Sequence, residues 1–163
     1  MVLLAILSPF LLIALIVVAA WLVLRRRNPS TILARVAASA IGVYAGVLGV
    51  EHGFFETLQG SHRPGGIMIY AIGVPPCQPA AVWHGCEPAM TLIPNFLLTG
   101  ILAILAALVV LAWAAWRVQR KNGGLILILL SIVMLLVGGG FFPPLFGIIA
   151  GVIGTRLKPV TIP

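Results

Sequence analysis

His52 and Glu56 stand four residues apart in the stretch GVEHGFFETLQGSH, residues 49–62. On a helix that spacing puts both side chains on one face. An imidazole and a carboxylate so placed can hydrogen-bond, share a divalent metal or pass a proton. His62, His84 and Glu87 follow along the chain and could fold over the same spot. Together the five would offer nitrogen and oxygen donors suited to zinc or copper. Their spacing fits no recognised metal motif, because H-E-x-x-H and paired C-x-x-C are both missing. A His and Glu at a helix end are more often solvated or bonded to each other, and that is the expectation here. Glu51 falls on a different face from Glu56, so the two acids do not make a general acid–base pair. A proton relay would need further buried acids or histidines along the spans, and a membrane haem would need histidines within them. No residue is assigned a catalytic role.

Cys77 and Cys86 are the only cysteines and flank QPAAVWHG. On an oxidising side of a membrane they would form a structural disulfide, worth about 2–3 kcal/mol through loop closure. The four-helix quinone-linked enzymes that make disulfides carry a C-x-x-C pair at a helix end, and this chain has none. Four-helix junction and tetraspanin proteins are similar in having a disulfide-bearing outer loop. Their N-termini are cytoplasmic and their motifs differ, so no residue role is transferred.

The elements that must position these groups follow from composition. Of 163 residues, 61% are hydrophobic and 8% charged, and mean hydropathy is +1.19. A soluble domain is about a quarter charged, so this chain cannot clothe a water-facing surface and belongs in a lipid bilayer. The formal charge of +7 would suggest nucleic acid in a soluble protein. Here, cationic loops retained in the cytoplasm account for it, and neither phosphate-binding glycine motif is present.

Apolar runs predict spans at about 2–24, 32–56, 94–116 and 124–140. The first would be roughly 34 Å long as helix, enough to cross the hydrocarbon core. Asn28 or Ser30 could cap the second span with Pro29 in its first turn, and Thr91 with Pro94 could open the third. FFPP at 141–144 should break the chain, leaving a short apolar segment, 145–155, that would span, re-enter or lie in the interface. Of the ten Lys and Arg, all but Arg63 lie at 25–35, 117–121 and 156–158. That pattern places those turns in the cytoplasm, and the N-terminus and loop 51–93 outside. Within the loop, residues 57–93 form an extracytoplasmic cap, and 67–72 is a strand or lies on the helix ends. Phe54, Phe55, Tyr70 and Trp83 would form an outer aromatic belt, with Trp21, Trp113 and Trp116 at the inner face.

Ala38, Gly42, Gly46, Gly49 and Gly53 line one face of the second span, and Gly147, Gly151 and Gly154 repeat the pattern in the tail. Such faces let helix backbones touch. The expected fold is therefore all-α: a single membrane domain, a four-transmembrane-helix bundle with a broken C-terminal half-helix or short fifth span and a disulfide-stapled outer loop. The expected function is a non-catalytic accessory or scaffold subunit, packing against itself or other membrane subunits, with no nucleic-acid partner and no required cofactor. The alternative is a metal- or small-solute-binding or transport protein using the outer His/Glu site. A thiol or quinone-linked membrane enzyme, with bound lipid or quinone, stands third.

Overall fold

The computed structural model describes residues 32–70 and 88–158. The expected first span (2–24), the capping residues 28–30, Cys77, Cys86, His84, Glu87 and Trp83 lie outside them. The described chain is mostly helical: α1 (Ile32–Thr57), α2 (Phe96–Trp116), α3 (Gly123–Leu136) and α4 (Phe142–Thr155), with two short strands, β1 (Met68–Tyr70) and β2 (Pro88–Met90). Both α1 and α2 are long and apolar enough to cross a membrane; α3 and α4 are shorter apolar helices.

One side chain fixes how these helices run. Arg35, at the start of α1, donates from Nη1 to Gln119 Oε1 (3.2 Å) and from Nη2 to Lys158 O (2.8 Å). Gln119 follows α2 and Lys158 follows α4. The start of α1 and the ends of α2 and α4 therefore share one end of the bundle, and α3 leaves from the same end. Arg35, Arg117, Arg120, Lys121, Arg156 and Lys158 all gather there.

Small side chains make up much of the interior, around a few large ones such as Leu127, Met134 and Ile153, and the exterior is largely aliphatic. Ala34, Ala38, Ala45, Ala103, Ala107, Ala114 and Ala150 are fully buried, whereas Val36, Val47, Leu105, Leu108, Leu129 and Val133 are exposed. In water the order would be reversed, because burying leucine is what drives folding. Among lipid tails a leucine gains nothing by moving inside, so close approach of backbones becomes the main source of packing energy.

The glycine face of α1 supplies that approach. A methyl group added at Gly46 would meet Ala107 O at 2.8 Å, and one at Gly53 would meet Gly100 O at 2.8 Å. Gly49 faces Met134 and Ala107, and Gly42 faces Ala114, Leu127 and Ala150. Gly151 and Gly154 in turn lie against Gly124 of α3. Tyr44 and Phe146 meet edge to face, with ring centroids 5.6 Å apart. These small-residue faces are occupied by helices of the same chain.

Several boundaries differ from expectation, each for a local reason. The third span is capped by Asn95, not Thr91: Asn95 Oδ1 accepts from Leu98 N at 3.0 Å. Thr91 is instead extended and bridges to Val137. The fourth span stops at Leu136 rather than residue 140, because Gly138 (φ 96°) and Gly140 (φ 78°) adopt backbone angles that end a helix. Pro143 and Pro144 open α4 instead of leaving a broken segment. A proline in the first helical turn lacks only an N–H that has no intrahelical partner anyway. The chain 123–155 is thus an antiparallel hairpin of two 14-residue helices, each about 21 Å long at 1.5 Å per residue.

The all-α expectation also needs one addition. β1 and β2 pair antiparallel, with Met68 opposite Met90 and Ile69 opposite Ala89. Ile69 and Ala89 are the buried pair. Thr91 N donates to Ile67 O (2.9 Å) and Leu92 N to Leu136 O (3.2 Å). The extended segment 88–92 is therefore tied to β1 on one side and to the α3–α4 reversal on the other.

Candidate functional site

At the end of the bundle opposite the basic cluster, the buried stripe of α1 does not finish at Gly53. It continues through His52 and Glu56, which are 1% and 0% exposed. The (i, i+4) geometry brings His52 Nε2 to 3.4 Å from Glu56 Oε1. The two side chains thus share a face as the spacing predicts, but they lie inside the bundle and not at a solvated helix end. Burying a carboxylate costs several kcal/mol unless opposite charge or hydrogen bonds replace the lost water. Neither Glu56 oxygen accepts a hydrogen bond among the described residues.

The walls around Glu56 come from three other segments. Thr99, in the second turn of α2, and Thr91, in the extended segment, are buried with their hydroxyl oxygens hydrogen-bonded to each other. Thr99 Oγ1 donates to Val137 O at 2.9 Å, and Ile93 N donates to Thr91 Oγ1 at 3.1 Å. Gly138 closes the opposite side. A methyl group there would lie 2.7 Å from Glu56 Oε2, 3.0 Å from Oε1 and 3.1 Å from Thr99 Oγ1. Glycine is required at this position twice over, by its positive φ and by the carboxylate pressed against it.

The residues nominated from the sequence separate. His52 and Glu56 come together. His62 is exposed beyond the end of α1, where Nδ1 pairs with Gln59 O at 2.8 Å, and its carbonyl accepts from Phe96 N at 3.0 Å. His84 and Glu87 lie outside the described residues. Among the described residues no three His, Cys, Asp or Glu side chains gather as a metal would need. The zinc- or copper-type set is therefore represented here only by its first two members.

Thr91, Thr99, Val137 and Gly138 had no place in the sequence-derived site. One signal was available: Thr99 is the lone polar side chain in the apolar run of α2, and a polar group there must find a partner within the protein. The role of Gly138 carried no such signal, because the run GGG reads equally as helix packing. No protein-family profile, curated protein or solved structure matches this chain.

Proposed function

We propose that this chain is a multi-pass integral membrane protein that serves as a non-catalytic scaffold or accessory subunit. Its N-terminus and the region 51–93 lie outside, its basic end faces the cytoplasm, and Cys77 and Cys86 staple the outer loop. The observation that carries the reading is the packing, with alanine and glycine at the helix–helix contacts and many leucines and valines left on the outside. The segregation of cations to one end supports the orientation. The His52–Glu56 cluster is closed and walled by backbone, which suits a lock between helix ends better than a reaction centre. Because both glycine faces are filled internally, contacts with other subunits fall on the exposed aliphatic surfaces of α2 and α3.

Native purification in mild detergent followed by mass analysis tests this reading. It should return a homo-oligomer or a companion membrane protein at defined stoichiometry. A lone monomer would remove the scaffold role while leaving the fold untouched.

A second reading, an outer-face site for a metal or small solute, is favoured by one specific observation. A buried His–Glu pair is a costly thing to place inside an apolar bundle, and ionisable groups at such positions commonly mark ligand or ion sites.

A further inference from the structure

The hydroxyl protons around Glu56 can be assigned from the bonding pattern. A threonine hydroxyl has one proton to donate and two lone pairs to accept with. The proton of Thr99 goes to Val137 O, which can only accept. The hydrogen bond between Thr99 and Thr91 must then use the proton of Thr91. Thr91 already accepts from Ile93 N. Both protons are therefore drawn away from the carboxylate, and each hydroxyl oxygen keeps one lone pair uncommitted.

On the other side, Glu56 Oε1 faces His52 while Oε2 turns to Gly138 and accepts no hydrogen bond among the described residues. Thr99 Oγ1 borders the same small space beside Gly138. Acceptor thus stands near acceptor in a buried space, an arrangement relieved either by a bound cation or by a proton on the carboxyl.

We propose that Glu56, Thr99, Thr91 and the Val137 carbonyl form a binding site for a small hard monovalent cation of the sodium type. All four donors are oxygens, the class that hard cations prefer. With His52 as the neutral imidazole, the single carboxylate balances one positive charge. A divalent ion would leave an excess charge inside the bundle, where calcium and magnesium sites use additional carboxylates or water. A groove of about 260 Å³ bordered by Pro64, Ile67, Leu92 and Pro94 approaches the site as far as Thr91, while Glu56 and Thr99 lie enclosed behind it. Two independent segments, the α3–α4 reversal and the extended stretch after β2, supply donors. A bound cation would therefore tie α1 and α2 to both. This deepens the second reading of the site by naming its ligand class, and it stands apart from the scaffold proposal.

The test uses the full chain in mild detergent and choline chloride buffer, titrated with radiolabelled sodium. Wild type should show one saturable site per chain, displaced by lithium but not by choline. Binding should disappear in Glu56→Gln, weaken at least tenfold in Thr99→Val and persist in Thr99→Ser, with circular dichroism verifying the helices of each variant. If Glu56→Gln fails to fold, the contrast between the two Thr99 variants decides. No saturable sodium binding by wild type, or equal binding by both Thr99 variants, overturns the site. Saturable zinc binding without sodium binding also overturns it, in favour of an imidazole-based set including His52. None of these results bears on whether the chain has protein partners.

Discussion

The two ends of this bundle handle charge in opposite ways. At the basic end, Arg117, Arg120, Lys121, Arg156 and Lys158 are exposed. Only Arg35 reaches across, with one bond to a side chain and one to a carbonyl. At the far end Glu56 and its histidine partner are sealed beneath Gly138, Thr99 and the extended segment. In the first case water screens each cation, and losing one contact changes little. In the second, the carboxyl is enclosed by His52, Thr91, Thr99 and the Gly138 backbone, so a lost contact is not simply replaced by bulk solvent. The lesson is that the tolerance of a charge to mutation depends on who else can solvate it.

Three substitutions probe that contrast by thermal unfolding in detergent. The largest effect is expected for His52→Ala, which empties a buried side-chain volume and leaves the Glu56 carboxyl without its imidazole neighbour, and should cost about 3 kcal/mol. An unfolding temperature close to wild type would mean that Glu56 is compensated elsewhere. Gly138→Ala comes next. It combines a φ of 96° with a methyl group pressed on the carboxylate, and should cost about 2–3 kcal/mol. A relieved version sharpens the point: coupling Gly138→Ala to Glu56→Ala should recover part of that loss, since the clash partner is gone. The smallest change is expected for Arg35→Gln at the basic end, about 1 kcal/mol or less. A loss there equal to that of His52→Ala would abolish the distinction between the ends.

Much of the helical layout was legible in the sequence because an apolar run of about twenty residues is long enough to cross a bilayer as a helix. Any backbone group within the hydrocarbon must be bonded inside the protein, so long apolar runs become helices. Residues 32–56 and 94–116 were read this way and correspond closely to α1 and α2. The small-residue stripe of α1 was equally readable, since Ala38, Gly42, Gly46, Gly49 and Gly53 recur at helical spacing. What it packs against was not readable, because alanine and glycine stripes are alike whether their partner is in the same chain or another. The α3–α4 hairpin was read as a span to residue 140 followed by a broken half-helix or short fifth span at 145–155. The reason lies in GGGFFPP: glycine stops a helix only where tertiary contacts hold a positive φ, and proline starts one as readily as it ends one.

The candidate site divides along the same line. The sequence alone determined that His52 and Glu56 share a face, because 3.6 residues per turn leaves no choice once α1 is helical. It also determined that, Arg63 apart, the cations and the His/Glu-bearing stretch lie in separate parts of the chain. Whether that pair meets water or protein was decided only by the tertiary structure. Burial of Glu56 depends on Thr91, Thr99 and Gly138, which come from three places distant in the chain. Their convergence is set by β1–β2 pairing, the bridge at Val137 and the close approach of α1 to α2 through Gly53 and Gly100. Local periodicity fixes direction around one helix axis, whereas solvation is a property of everything that surrounds the side chain.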